Sequence, residues 1–496
     1  MASKSEVFAS RWGMMLAMLG MAVGTGNIWR FPRIVARNGG GSFLVAWVVF
    51  LLLWSIPLIL VEFSLGKATR SGTVGAFGRL IGKKFAWMGA WVGWCATAIM
   101  FYYSVVMGWC IRHLAATLTG AIPGSTPDAF WNSFAASPQA LLTHAVAIGL
   151  GVMVVARGVR GIERVASVLI PSLIVLVVVL AVRAITLPGA VAGLNFLFTP
   201  QWGELLDYRV WLEALTQNAW DTGAGWGLIL TYAVYMRRNE DTSLNAFTLG
   251  FGNNSMSLLA GIMVICTAFA LAPDAAQQLR GVGNEGLTFI WLPELFSTMP
   301  GGRFFMAIFF LALIFAAWTS LISMIELATR VLVDAGAPRG RAIWWVGIVG
   351  FLAGVPSALS MGFFANQDTV WSIGLMLSGF FFAFAVMKFG VRRFRQELIN
   401  HPGSDLNVGR WWEWAIVLCS VEAVVLMAWW FFQAWGEGWR SAFNPFSAFS
   451  IGTVLLQWGL VLVVLWLINP WLARRTGMTE EAAELETGAL EGGAAR

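Results

Sequence analysis

The sequence predicts an all-α membrane protein of about twelve transmembrane helices, built as two five-helix halves with two further helices appended. Three observations carry that prediction. The 496 residues are 58% hydrophobic and only 12% charged. Uncharged runs of roughly 20 residues, the length that crosses a bilayer, recur along the whole chain. Glycine clusters interrupt the first and the sixth of these runs, at corresponding places in the two halves.

In order, the runs cover 12–36, 41–66, 86–115, 139–156, 161–186, 211–236, 243–270, 303–333, 341–361, 366–390, 410–435 and 447–472. Basic residues assign their sides, because cytoplasmic loops carry an excess of Lys and Arg. Lys67, Arg70, Arg79, Lys83 and Lys84 fall between spans 2 and 3, and Arg157, Arg160 and Arg164 between spans 4 and 5. Arg237 and Arg238 follow span 6, and Arg330, Arg339 and Arg341 follow span 8. Lys388, Arg392, Arg393, Arg395 and Arg410 lie between spans 10 and 11, whereas residues 116–140 have no Lys. This alternation puts both termini in the cytoplasm of a cell inner (plasma) membrane. The net charge of +6 is then topology, and no nucleic acid partner is expected.

The chain divides into a cytoplasmic N-terminus (1–11), a first repeat (12–186), an extracellular loop (187–210), a second repeat (211–396), spans 11 and 12 (410–473) and a polar cytoplasmic tail (474–496). The opening KSEVFASRWGMMLAMLGMAVG mimics a signal peptide, but no small-residue cleavage site precedes Arg30 and Arg33. Cys95, Cys110, Cys266 and Cys419 lie within spans and read as buried apolar thiols. His113, His144 and His401 are scattered and suggest no metal site. No G-x-x-x-x-G-K-[ST] run offers nucleotide hydrolysis, and an enzyme is not expected.

The two interrupted runs are GMAVGTGNIWRFP, Gly20 to Pro32, and AWDTGAGWG, Ala219 to Gly227. A single glycine in a membrane helix is ordinarily a close-packing residue. Here Gly20, Gly24 and Gly26 bracket the centre of span 1, and Gly223, Gly225 and Gly227 bracket the centre of span 6. Irregular backbone at membrane depth is tolerated only where it lines a cavity or is buried in protein. Paired interruptions in two halves point to a transporter built from inverted repeats, whose freed carbonyls ligate sodium and whose half-helix N-termini attract an anion.

GNIWRFP followed by NGGGSFLVAW (Asn38 to Trp47) resembles the span 1–2 signature of the neurotransmitter:sodium symporter family. GIER (Gly161 to Arg164), GLNFLFTP (Gly193 to Pro200), TSLISMIE (Thr319 to Glu326) and GVPSALS (Gly354 to Ser360) resemble its later landmarks, in order through span 10. The resemblance implies a LeuT-type 5+5 inverted repeat with discontinuous helices 1 and 6. It also implies sodium-coupled symport of a small neutral amino acid by alternating access, with one or two sodium ions. The first sodium site maps to Ala22, Asn27, Asp221 and Asn253, and the second to Gly20, Val23, Ala316, Thr319 and Ser320.

The substrate pocket maps to Met21, Ala22, Gly24, Thr25, Gly26, Ile99, Tyr103, Trp220, Asp221, Gly223, Trp226, Ser320 and Met324. Gly24, where monoamine carriers of the family have Asp, leaves room for a substrate carboxylate on the amides of Thr25 and Gly26 and the Tyr103 hydroxyl. Asp221 stands where the family has Ser or Thr, beside the positions Trp47, Gln217, Asn253 and Ser257. A fixed carboxylate there supplies the charge that chloride otherwise supplies, so no chloride is expected. Gln217 and Ser257 are read as supporting groups. Glu62 is expected to steady both breaks through hydrogen bonds, and Glu326 and Glu422 to make helix–helix hydrogen bonds. The outer gate maps to Arg30 with Asp368, Thr369 being the competing register, and Tyr103 and Trp220 would close over the ligand. The inner gate maps to Asp334, with Lys4 substituting because the usual arginine and tryptophan positions hold Ser5 and Phe8.

Trp220 and Trp226 leave open a methylamine or betaine-like osmolyte, since cation–π attraction is worth ~0.5–2 kcal/mol. An ion channel and a substrate sensor are the readings from other classes. The expected partners are the lipid bilayer and a small-molecule substrate.

Overall fold

The structure, a computed structural model, describes residues 6–476 apart from 125, 273–274, 282, 401–403 and 436–438. Lys4, Ser5, His401 and the polar tail beyond residue 476 therefore lie outside the described residues.

With no water to satisfy its N–H and C=O groups, a chain in lipid forms helices, and the described residues contain no strand. Among the described residues nine helices are long and apolar enough to cross a membrane: Gly41–Thr69, Lys83–Thr119, Pro138–Val155, Gly158–Ile185, Thr242–Leu271, Gly302–Asp334, Arg339–Leu359, Met361–Phe389 and Trp411–Trp435. These are spans 2–5 and 7–11. Span 12 is the 17-residue helix Ile451–Leu467, which bends by 57° into Asn469–Arg475. Pro470 sits at the start of that last helix, where its missing N–H is harmless.

Spans 1 and 6 are short because each is two helices. Span 1 runs as Arg11–Ala22, turns extended at Val23 (ψ 93°), and resumes as a π-helical turn Gly26–Arg30 and the helix Phe31–Arg37. Span 6 runs as Tyr208–Asp221 and resumes at Leu228–Ala233. Between them Gly223, Gly225 and Gly227 have φ of 71°, 86° and 79°, a left-handed geometry that suits glycine. The glycines of span 1 act differently. None has positive φ; they allow close approach, since a Cβ at Gly20 would stand 2.7 Å from Ile170 Cδ1 and one at Gly24 2.8 Å from the Tyr103 hydroxyl.

The freed donors of span 6 find a carboxylate. Glu62, fully buried in span 2, accepts hydrogen bonds from Gly225 N at 2.7 Å and Leu230 N at 3.0 Å. Charged acceptors make the stronger bonds. Among the described residues these Glu62 hydrogen bonds reach the break of span 6 and not that of span 1. At span 1, Gly24 N donates to Asn27 Oδ1 (2.8 Å) and Thr25 N to the Tyr103 hydroxyl (3.0 Å).

Around this centre, span 8 packs on span 3 and on the first half of span 1, and span 5 packs on spans 1 and 7. All four cysteines are buried and free. His144 is tied to Ser104 and to Phe351 O, and His113 is enclosed by aromatic rings. Trp12, Trp344, Trp345, Trp414 and Trp466 stand exposed on the outside, where indoles anchor a membrane protein.

Gly225→Ala should be destabilising, by ~1–2 kcal/mol for the left-handed backbone and further because its Cβ would stand 3.1 Å from Gly379 Cα. Gly149→Ala, mid-helix with nothing within 4 Å, should be neutral or stabilising by up to ~1 kcal/mol. Thermal unfolding of the two purified variants checks the contrast; equal midpoints would contradict it.

Candidate binding site at the two helix breaks

The breaks of spans 1 and 6 meet at a cavity of ≈ 280 Å³. Met21, Ala22, Gly24, Thr25 and Gly26 line it from span 1, Tyr103 from span 3, Trp220, Asp221, Gly223 and Trp226 from span 6, and Ser320 and Met324 from span 8. Ile99 does not line it; although one turn from Tyr103, it is fully buried among core side chains. Tyr102, Thr216, Phe364, Trp429 and Trp430 also line the cavity, and the sequence reading omits them. The two tryptophans belong to span 11, beyond the stretch that carries the family resemblance, so no motif pointed to them.

Three of the residues mapped to the first sodium site, Asn27, Asp221 and Asn253, are joined with Ser257 in one hydrogen-bonded cluster, while Ala22 lines the cavity beside it. Asn27 Nδ2 donates to Asn253 Oδ1 at 2.9 Å and to Ser257 Oγ at 2.8 Å, and Ser257 Oγ donates to Asp221 Oδ2 at 2.6 Å. The other carboxylate oxygen, Asp221 Oδ1, is buried with no hydrogen-bond partner. Leaving such a group bare is costly, and a hard cation is the partner that suits it. The Gln217 amide and Trp47 Nε1 are buried and unpartnered as well.

At the second set, span 8 meets the last turn of the first half of span 1. Ser320 Oγ donates to Met21 O at 3.2 Å and lies 3.5 Å from Gly20 O. Thr319 Oγ1 is engaged within its own helix, with Phe315 O and Ala316 O at 2.9 and 3.1 Å. A Cβ at Gly20 would stand 3.0 Å from Thr319 Cβ, so glycine is what lets the two helices bring these oxygens together. Val23, whose backbone turns extended, ends that half-helix. The donor set is hydroxyls and carbonyls, which suits sodium.

Arg30, Asp368 and Thr369 all line the same cavity. No ion pair within 4.0 Å joins Arg30 to Asp368 among the described residues; Arg30 Nη1 is unpartnered and the guanidinium sits 5.2 Å over the Trp220 ring. The opposite side is crossed by ionic contacts. Asp334 pairs with Arg330 at 2.8 Å and accepts from Gly72 N at 2.6 Å. Its partner is therefore an arginine one turn earlier on its own helix, and Lys4 lies outside the described residues. Glu326 accepts from Arg339 at 2.9 and 2.6 Å and from the Tyr235 hydroxyl at 2.6 Å, which ties spans 6, 8 and 9 together. Glu422 makes no such bond: its Oε2 is buried and unpartnered.

Comparison with known proteins places this geometry. Residues 5–141 and 136–474 match the Sodium:neurotransmitter symporter family. The chain is 31% identical to the sodium-dependent transporter YhdH of Bacillus subtilis, over 86% of this chain and 96% of that protein. It is 32% identical to the sodium-dependent transporter MJ1319 of Methanocaldococcus jannaschii, over 66% and 70%, and 29% identical to the sodium-dependent serotonin transporter of Drosophila melanogaster, over 88% and 78%. It is also similar to the crystal structure of MhsT in complex with L-phenylalanine, with a TM-score of 0.75, 30% identity, and coverage of 86% of this chain and 99% of that one. The chain belongs to the sodium:neurotransmitter symporter family, and is a multi-pass, sodium-coupled symporter with the LeuT fold.

Proposed function

We propose that this symporter carries a neutral amino acid with one or two sodium ions by alternating access, without chloride, across the plasma membrane, with both termini cytoplasmic. The observation that carries the reading is the unpartnered Asp221 Oδ1 beside the Asn27–Asn253–Ser257 cluster, at a cavity lined by both breaks. A buried carboxylate here offers sodium an oxygen, and repels an anion from the neighbouring Gln217 and Trp47 donors.

Three features favour a zwitterion. Gly24 adds no carboxylate from span 1, and the cavity carboxylate at the breaks, Asp221, is assigned to sodium rather than to a substrate amine. Thr25 N starts the second half of span 1, where the helix dipole favours an anionic group, and its present acceptor, the Tyr103 hydroxyl, is free to turn to a carboxylate. Met21, Met324 and Trp226 supply an apolar, adaptable wall for a side chain. The L-phenylalanine held by MhsT is a ligand of this class. A methylamine fits less well, because the Arg30 guanidinium over Trp220 would meet a second cation, and Trp226 is tied by its indole N–H to Ala219 O.

Each charge carried inward through ~100 mV contributes ~2.3 kcal/mol, enough to concentrate a zwitterion many-fold. In proteoliposomes, a sodium gradient should drive L-phenylalanine uptake equally well with chloride or gluconate. Strong chloride dependence, or accumulation with choline in place of sodium, would contradict the proposal. Asp221→Asn removes the fixed charge and should impose a chloride requirement or uncouple sodium from uptake. Sodium-coupled, chloride-indifferent uptake by that variant would show that the carboxylate is structural.

A further inference from the structure

The first half of span 1, Arg11–Ala22, lies along the start of span 5, Gly158–Ile185. Two glycines make the approach close. A methyl group at Gly13 would fall on the Glu163 carboxylate, and one at Gly20 would stand 2.7 Å from Ile170 Cδ1. Gly13 and Gly20 are seven residues apart, as are Glu163 and Ile170. Seven residues are about two helical turns, so these contacts recur on one face of each helix and the two run parallel. Ala17 and Ala166, both buried, fall within the same stretches. This is a small-residue seam of the kind that lets membrane helices pack flush, and its cytoplasmic end is closed by one carboxylate.

That carboxylate is well used. Glu163 is 8% exposed and accepts from Ala9 N at 2.7 Å, Ser10 N at 2.9 Å and Ser10 Oγ at 2.8 Å. Ser10 Oγ in turn accepts from Gly13 N at 2.9 Å and so caps span 1. Glu163 thus grips the residue that begins the helix, and no cation pairs with it among the described residues. Other contacts on this segment run to spans 6 and 7 rather than to span 5: Phe8 N to Tyr235 O at 3.1 Å, Arg237 to Ala9 O, and Arg11 to Glu240 at 3.8 Å and to Asn245 Oδ1 at 3.4 Å; Val159 N reaches Glu6 Oε2 at 3.4 Å. The far end of the same half-helix carries Gly20 and Met21, whose carbonyls face Ser320.

We infer that Glu163 is the latch that holds the first half of span 1 shut on the cytoplasmic side, and that its release is the step that opens the site inward. The inference rests on the alternating-access reading above. In this account the half-helix is tethered at both ends, by sodium oxygens at its outer end and by Glu163 at its inner end. When sodium leaves, Glu163 is the one side chain that still binds the helix start through three donors, beside the half-exposed Arg11–Glu240 contact, and those three donors are satisfied equally well by cytoplasmic water. This also explains how the inner side closes while Asp334 is already satisfied by Arg330 and Gly72. Glu163 is a positioning residue; it does not line the cavity at the two breaks.

Hydrogen–deuterium exchange on the purified full-length protein tests this, with peptides covering residues 9–22 as the readout and peptides of spans 3 and 8 as the fold control. Glu163→Ala should speed exchange of 9–22 about tenfold and raise the sodium concentration that half-protects them, with the controls unchanged. Glu163→Gln, which keeps shape and one acceptor oxygen, should fall between and covers the case in which the alanine variant does not fold. Gly13→Ala displaces the carboxylate, so it should loosen 9–22 in the wild-type background and add nothing in the Glu163→Ala background. Unchanged exchange in both Glu163 variants, or the same Gly13→Ala effect in both backgrounds, would overturn the latch. Failure of sodium-driven uptake by the wild type would instead overturn the transport reading, since exchange at 9–22 needs no substrate.

Discussion

A backbone N–H with no acceptor inside a bilayer costs several kcal/mol, and this chain breaks two of its helices at membrane depth. The site follows from how those breaks are satisfied. At span 6, Glu62 takes the freed N–H groups of Gly225 and Leu230. At span 1, the Asn27 side chain and the Tyr103 hydroxyl take those of Gly24 and Thr25. One break is fastened by a single carboxyl side chain and the other by an amide and a hydroxyl, both of which belong to the binding site itself. We read span 6 as the fixed wall of the cavity and span 1 as the wall whose bonds a ligand can exchange.

The charges are arranged to the same end. In the outer part of the cavity Arg30 and Asp368 are apart, with the guanidinium resting on Trp220. On the inner side Asp334, Arg330, Glu326, Arg339 and Tyr235 are engaged with one another. That asymmetry leaves one side of the site held by ionic contacts and the other side without an Arg30–Asp368 pair. Asp221 adds a buried carboxyl group held on one oxygen by Ser257 and without a hydrogen bond on the other. On the proposed reading, a cation that satisfies it would draw the two breaks together, so that binding and closure would be one event.

Much of the fold was legible in the chain. Hydropathy marked twelve runs, including the three that are not single long helices: spans 1 and 6, each broken in two, and span 12, whose 17-residue helix bends into the next, because an interrupted apolar run still reads as one run. The glycine clusters located both breaks, though for different reasons: positive φ at Gly223, Gly225 and Gly227, and close approach at Gly20 and Gly24. Pairings were less legible. Position 334 marks an acid, but not that Arg330, one turn earlier, holds it; i,i+4 pairs are frequent and unmarked. Ile99 and Glu422 depend on which way a helix face turns, and a helix apolar all round does not say. The tryptophans of span 11 at the cavity belong to an element added outside the repeat, where the symmetry argument has no reach.

The central claim is that sodium and substrate are held by the same pair of breaks and so favour each other's binding. Equilibrium binding of L-phenylalanine to the purified protein, titrated across sodium concentrations at constant ionic strength, tests it most directly. The account predicts an apparent Kd that falls steeply as sodium replaces choline, with sodium affinity rising by the same factor when phenylalanine is present. A Kd that is measurable and indifferent to sodium would contradict it.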